Sequence, residues 1–98
     1  MGVSALEELK LIRRATRQLR DGDASGALAT LKEHAARHPD GALGLERDGL
    51  QVLALCAIEP NGEARALRAR FLDQHGASTM ALRVRAACEP KAEPGAAK

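Results

Sequence analysis

Aromatic residues are almost absent from this chain of 98 residues: Phe71 is the only one, and there is no Trp and no Tyr. The strand-forming residues Val, Ile and Thr are scarce, whereas alanine and leucine, which favour helices, are abundant. This composition argues against an all-β fold and against a site built on aromatic stacking. The length predicts a single small domain, and a charged fraction of 29% with a net charge of +2 is typical of globular proteins.

Long apolar runs are also missing. No run approaches the roughly 18–20 residues that a membrane-spanning helix needs, and the longest, residues 52–58, is typical of a buried core. An amphipathic segment follows the first residues directly, so no secretory signal peptide is predicted. Taken alone, the chain is expected to be cytoplasmic; as a piece of an anchored protein it would be periplasmic or associated with the cell envelope.

Apolar periodicity and turn residues predict about five helices. Ser4 and Glu7 have the spacing of a capping box, which begins a helix, and Asp23 is placed to cap the next one. The expected helices cover residues 5–20, 24–37 and 42–58, then a segment that ends at His75, and a short fifth helix capped by Ser78.

The third predicted helix is apolar on nearly all sides over residues 50–58, so we expect it to be central. Residues 1–88 form the predicted helical domain, and residues 89–98, with two prolines and no periodicity, are expected to be a disordered tail. The predicted core consists of Leu9, Ile12, Leu19, Leu28, Leu31, Leu50, Leu53, Ala57, Leu67, Phe71 and Val84.

The second and fourth helices suggest an internal repeat. Ala27 and Ala64 are 37 positions apart, and so are His38 and His75. One helical hairpin cannot bury its own apolar face, so two hairpins closed by a further helix form a sensible unit.

This pattern resembles a degenerate tetratricopeptide repeat (TPR). The marks of the first unit are Leu19, Gly22-Asp23, Ala27, Leu31 and Pro39; those of the second are Leu53, Ala57, Ala64 and Phe71. Gly76 replaces the closing proline of the second unit, and the period exceeds the 34 residues of the family. The stretch from Gly41 to His75 is similar to TPR-like modules of high-GC bacteria. The resemblance implies an all-α, right-handed array of antiparallel hairpins that binds other proteins.

The first helix carries a stripe of positive charge. Its side chains lie within about a third of the helical circumference. In a TPR-like array the first helix of each hairpin lines the concave face, where arginines can bind carboxylates of an acidic peptide. The alternative is a solvated face balanced in part by Glu7, Glu8, Asp21 and Asp23. The stripe consists of Lys10, Arg13, Arg14, Arg17 and Arg20.

A second basic group near the end of the chain is spread over several faces and indicates solubilising surface. It consists of Arg65, Arg68, Arg70, Arg83 and Arg85.

His34 and His38 have a spacing that can place two imidazoles on one metal, but no third ligand is evident, so no metal site is predicted. His38 and His75 instead end helices, where the helix dipole favours a positive charge.

The two cysteines, Cys56 and Cys88, leave two interpretations open. They can be buried free thiols, or they can pair and pin the last helix to the central one, which would imply an oxidising compartment. The absence of an export signal favours free thiols.

No catalytic constellation and no cofactor-binding motif is present in the sequence, so an enzyme is not expected. The hypothesis is a non-catalytic adaptor or scaffold that binds an acidic peptide or partner protein through the concave face of helices one and three. The alternative is a homo-oligomerisation module that uses exposed Leu6, Leu43 and Leu45. Nucleic-acid binding is disfavoured because no aromatics accompany the basic stripe and the net charge is small.

Overall fold

The computed structural model describes the backbone of residues 2–89 and the side chains of residues 4–89, so most of the predicted tail lies outside the described residues. The described residues form five α-helices and no strand, which confirms the all-α prediction. The helices are α1 (Gly2–Arg20), α2 (Ala24–Arg37), α3 (Gly44–Ile58), α4 (Gly62–His75) and α5 (Ala81–Ala86).

Local side-chain chemistry sets the starts of α2 and α4. The Asp23 carboxylate accepts a hydrogen bond from the Gly26 N–H, and the Asn61 side chain accepts one from the Ala64 N–H, both at 2.9 Å. Each bond satisfies one free N–H of a helix end. The two helices have the same length, and their caps are 38 positions apart, so the structural period is one residue longer than the sequence comparison suggested.

Two other predicted caps are wrong. α1 already begins at Gly2, which places Ser4 inside the helix rather than at its end. α5 has Met80 as its N-terminal cap residue, and the buried Ser78 hydroxyl has no hydrogen-bond partner within the described residues. The turn before α2 follows the prediction: Gly22 has a φ of 84°, the left-handed conformation that glycine adopts readily.

α3 is the central helix, as its sequence predicts, because it packs against each of the other four helices. Its buried side chains include Leu50, Val52 and Ala54. One predicted core residue is wrong: Ala57 is exposed, because the last turn of α3 extends past the helices that cover its middle. The other predicted core positions are buried or half-buried.

The helices pack in an alternating order. α1 packs against α2 and α3, and α3 packs in turn against α4 and α5, while α2 and α4 do not contact each other within the described residues. α1, α3 and α5 therefore share one side of the molecule. No helix in residues 2–89 combines the length and the apolar character needed to cross a membrane.

A disulfide joins the end of α3 to a residue just after α5, 32 positions later in the chain. It links Cys56 of α3 to Cys88, just after α5, with 4.7 Å between the Cα atoms, and both residues are buried. The preference for free thiols is therefore wrong, and the alternative of a pair that pins the last helix to the central one describes the structure.

Candidate binding groove

A groove of about 390 Å³ lies on the side shared by α1, α3 and α5. Leu19 and Leu53 contribute half-buried apolar surface, while Arg20 and Arg83 contribute positive charge from opposite helices. The Thr16 hydroxyl also lines the groove, but it donates to the Ile12 carbonyl of its own helix at 2.9 Å. We call this cleft the groove; it is lined by Thr16, Leu19, Arg20, Leu53 and Arg83.

The two groove arginines have no ion-pair partner in the part of the chain that the structure describes. A positively charged side chain beside apolar surface can bind a carboxylate while a neighbouring apolar group of the same ligand covers the leucines. The groove therefore combines the two chemical features needed for an acidic peptide with apolar side chains.

The predicted basic stripe contributes to the groove mainly at one end. All five of its residues are exposed, and Arg20 is the member that lines the groove. At ~100° per residue, Arg13 lies on nearly the same side as Arg20, two turns earlier and about 10 Å along the axis. Arg14 points furthest from that direction, and Lys10 and Arg17 lie between. Of the stripe, Arg20 therefore belongs to the groove, and the other four residues lie on exposed surface outside its lining.

The second basic group has more specific contacts than its sequence suggested. Arg65 donates to the Cys88 carbonyl at 3.3 Å, Arg68 to the Ala87 carbonyl at 2.8 Å, and Arg85 to the Gly76 carbonyl at 3.0 Å. Arg83 lines the groove, a role that the sequence did not predict for it. Three of the five arginines therefore hold the chain around α5, and one belongs to the candidate site.

A buried hydrogen-bonded pair, Glu8 and His34, lies between α1 and α2. His34 is fully buried, Glu8 is nearly so, and 2.9 Å separates the His34 Nε2 from the Glu8 Oε1. The same carboxylate accepts the N–H groups of Leu43, at 3.1 Å, and Ala42, at 3.2 Å, just before α3. Glu8 thus connects three helices, and it does not balance the basic stripe as the sequence suggested.

Burial raises the pKa of the Glu8 carboxyl, but other contacts outweigh burial. Hydrogen bonds from the Leu43 N–H, the His34 ring and the Ala42 N–H, together with the electrostatic interaction with His34, hold its pKa below the ordinary value. Gly41 permits this arrangement, because a Cβ there would lie 2.1 Å from the Glu8 Oε1. The Glu8 carboxylate is therefore a positioned structural acceptor.

Sequence reasoning missed this pair although a signal was present. Glu8 lies on the apolar stripe of α1 with Ile12 and Ala15, and His34 lies on that of α2 with Ala27 and Leu31. An acid and a histidine on the apolar faces of adjacent helices indicate a buried pair. His38 lies at the end of α2, its ring 5.4 Å from that of His34. Across residues 4–89 no group of three or more His, Cys, Asp or Glu is placed to hold a metal ion.

Comparison of the chain with models of protein families, with curated proteins and with solved structures finds no match.

Proposed function

We propose that this chain is a non-catalytic protein-interaction module that binds an acidic segment of a partner protein in the groove between α1, α3 and α5. The observation that carries the proposal is that one cleft is lined by Arg20 of α1 and Arg83 of α5 together with the apolar side chains of Leu19 and Leu53. The alternating packing order, in which α1, α3 and α5 share a side, supports a TPR-like array of two hairpins and a closing helix. The disulfide supports an oxidising compartment.

The test uses a panel of fluorescein-labelled peptides in which Asp and Glu are interspersed with Leu and Val, matched to sequences with Asn and Gln in place of the acids. Binding is measured by fluorescence polarisation at several salt concentrations. We expect acidic peptides to bind and their affinity to fall as salt rises, because exposed charges are screened.

Two double variants locate the site. Arg20→Glu/Arg83→Glu should weaken binding on the order of tenfold or more, because attraction at two positions becomes repulsion. The matched control, Arg14→Glu/Lys32→Glu, changes the net charge equally but alters exposed residues that do not line the groove. Equal loss in both variants would show that net charge, and not the groove, attracts the peptide.

Self-association is the second candidate function. Leu43 and Leu45 pack against the core and so do not provide the exposed apolar surface that the sequence suggested. Large exposed apolar side chains are instead Leu6, Ile58 and Leu82, the last 75% exposed. Sedimentation over a range of concentrations distinguishes the two functions: a hydrophobic dimer persists at high salt, dissociates on dilution and is weakened by Leu82→Lys.

A further inference from the structure

The segment from α5 to Glu89 is attached to the rest of the molecule by a small set of tethers. The Cys56–Cys88 disulfide joins it to α3, and Arg65 and Arg68 of α4 bind the Cys88 and Ala87 carbonyls. Arg68 also forms an ion pair with the exposed Glu89. Beyond these, Ala81 and Val84 supply the buried apolar contacts of α5.

Two features make the order of this segment dependent on the disulfide. α5 has only six residues, and an isolated helix of that length is not stable in water. Cys88 has a φ of 63°, the left-handed region that is unfavourable for a residue with a Cβ. Without the covalent bond, Cys88 relaxes to an ordinary conformation and the chain around it loses its fixed path.

The disulfide lies beside open surface. Cys56 and Cys88 both line a cleft of about 370 Å³ between the ends of α3 and α5, with Ala57, Pro60 and Ala86 among its other residues. Although the two cysteines are mostly buried, this cleft brings solvent to their side. The thiolate of an external reductant can therefore approach the disulfide from this cleft.

We propose that Cys56–Cys88 is a thiol–disulfide exchange site that controls the order of residues 81–89. A dithiol reductant attacks one sulfur and forms a mixed disulfide, and its second thiolate then displaces the protein thiolate. The protein disulfide gains two electrons and, after protonation, becomes two thiols, while the reductant becomes a disulfide. In the oxidised protein the segment is fixed; in the reduced protein it opens while α1–α4 stay folded.

The oxidation state then determines whether the groove is complete. Arg83 belongs to α5, and Leu53 lines both the groove and the cleft beside the disulfide. When α5 opens, the groove loses one wall and one of its two cations. This consequence rests on the proposed peptide binding, whereas the opening of the segment does not.

Hydrogen exchange with mass spectrometry tests the opening directly on the full chain, oxidised and after treatment with dithiothreitol. Alkylation of two thiols confirms the reduction. We expect exchange of the amides in residues 81–88 to rise on the order of a hundredfold on reduction, because a covalent loop of this size is released. Protection in α1 and α2 should not change, and Cys56→Ser/Cys88→Ser should behave as the reduced wild type does.

Each other result overturns the proposal. Equal exchange in both states would show that the arginines and apolar contacts hold α5 without the disulfide. Loss of protection in all helices would show that the disulfide stabilises the whole fold and not only residues 81–89. Resistance of the disulfide to dithiothreitol in the folded protein would exclude thiol–disulfide exchange. The peptide panel in both states separates the two ideas: if α5 opens but no peptide binds the oxidised form, the exchange site stands and the proposed function fails.

Discussion

At position 8, one buried carboxylate organises the contacts of three helices. Glu8 accepts hydrogen bonds from His34 and from the two N–H groups that precede α3, and the absence of a side chain at Gly41 leaves room for it. A buried acceptor with partners of this kind is costly to remove, because each donor is then left without its bond. The contacts of Glu8 with His34 and with the residues before α3 therefore cannot be explained from the sequence of α1 alone.

The lowered pKa of Glu8 predicts how stability depends on pH. Since the carboxyl binds its proton less readily in the folded chain, its contribution is present above its ordinary pKa and is lost as pH falls through the folded pKa. Glu8→Gln should lower Tm at neutral pH, because the amide does not replace the charged acceptor, and the deficit should shrink below about pH 4. Thermal melts followed by circular dichroism from pH 3 to 7 measure both effects.

Glu7→Gln is the matched control, because Glu7 is the exposed neighbour on the same helix. Its melting curves should follow those of the wild type across the pH range. A constant difference in Tm between Glu8→Gln and the wild type at every pH would contradict the role given to the Glu8 charge.

At the scale of the element, α2 and α4 are constructed alike. Both have 14 residues, and both begin at a cap whose side chain accepts the N–H three positions later. α3 is different: its cap residue, Leu43, makes no side-chain cap bond, and the N–H of Leu43 itself donates to the Glu8 carboxylate of α1. The N-terminal starts of α2 and α4 are thus determined by local side chains, whereas the start of α3 depends on a side chain of another helix.

Removing either local cap should destabilise the fold by similar amounts. Asp23→Ala and Asn61→Ala should each cost about 1 kcal/mol, since each leaves one helix N–H without its acceptor. In a domain of this size that corresponds to a Tm lower by roughly 4–8 °C. Asp21→Ala, an exposed residue of the same turn, is the control and should leave Tm within about 1 °C. A neutral Asn61→Ala would show that packing alone fixes the start of α4.

At the scale of the whole molecule, one core runs through all five helices. It includes Ile12 of α1, Leu31 of α2, Leu50 of α3, Phe71 of α4 and Val84 of α5. Gly49 allows close packing within this core, because a Cβ there would lie 2.7 Å from the Met80 Cε and 3.3 Å from the Phe71 Cζ. α3 touches every other helix, so the core connects all five helices through it.

Two leucine substitutions test that core. Leu31→Ala should cost about 2–5 kcal/mol, because Leu31 is 2% exposed and its loss leaves a cavity among packed neighbours. Leu82→Ala removes the same atoms from a side chain that is 75% exposed and should change stability by less than about 0.5 kcal/mol. Urea denaturation followed at 222 nm measures both, and comparable losses would contradict the assignment of buried and exposed surface.

Much of the fold could be predicted from the sequence because the governing contacts are local. Gly22 and Asp23 end one helix and begin the next, and Pro39 lies in the turn after α2; each acts on backbone groups within about four residues. The apolar character of residues 50–58 likewise identified the central helix. The periodicity of α1 identified a basic stripe, of which Arg20 lines the groove; the other groove arginine, Arg83, lies on α5 and was not predicted as part of a site.

Other contacts became known only from the tertiary structure, because they join residues that are far apart in the chain. Glu8 and His34 are 26 positions apart, and Cys56 and Cys88 are 32 positions apart. Arg83 and Arg20 line the same groove because α1 and α5 both pack against α3. Periodicity specifies which face of a helix is apolar, but which residues of two faces meet depends on how the helices pack. Local sequence therefore determined the turns and the starts of α2 and α4, whereas the start of α3, the buried pair, the disulfide and the groove were determined by helix packing.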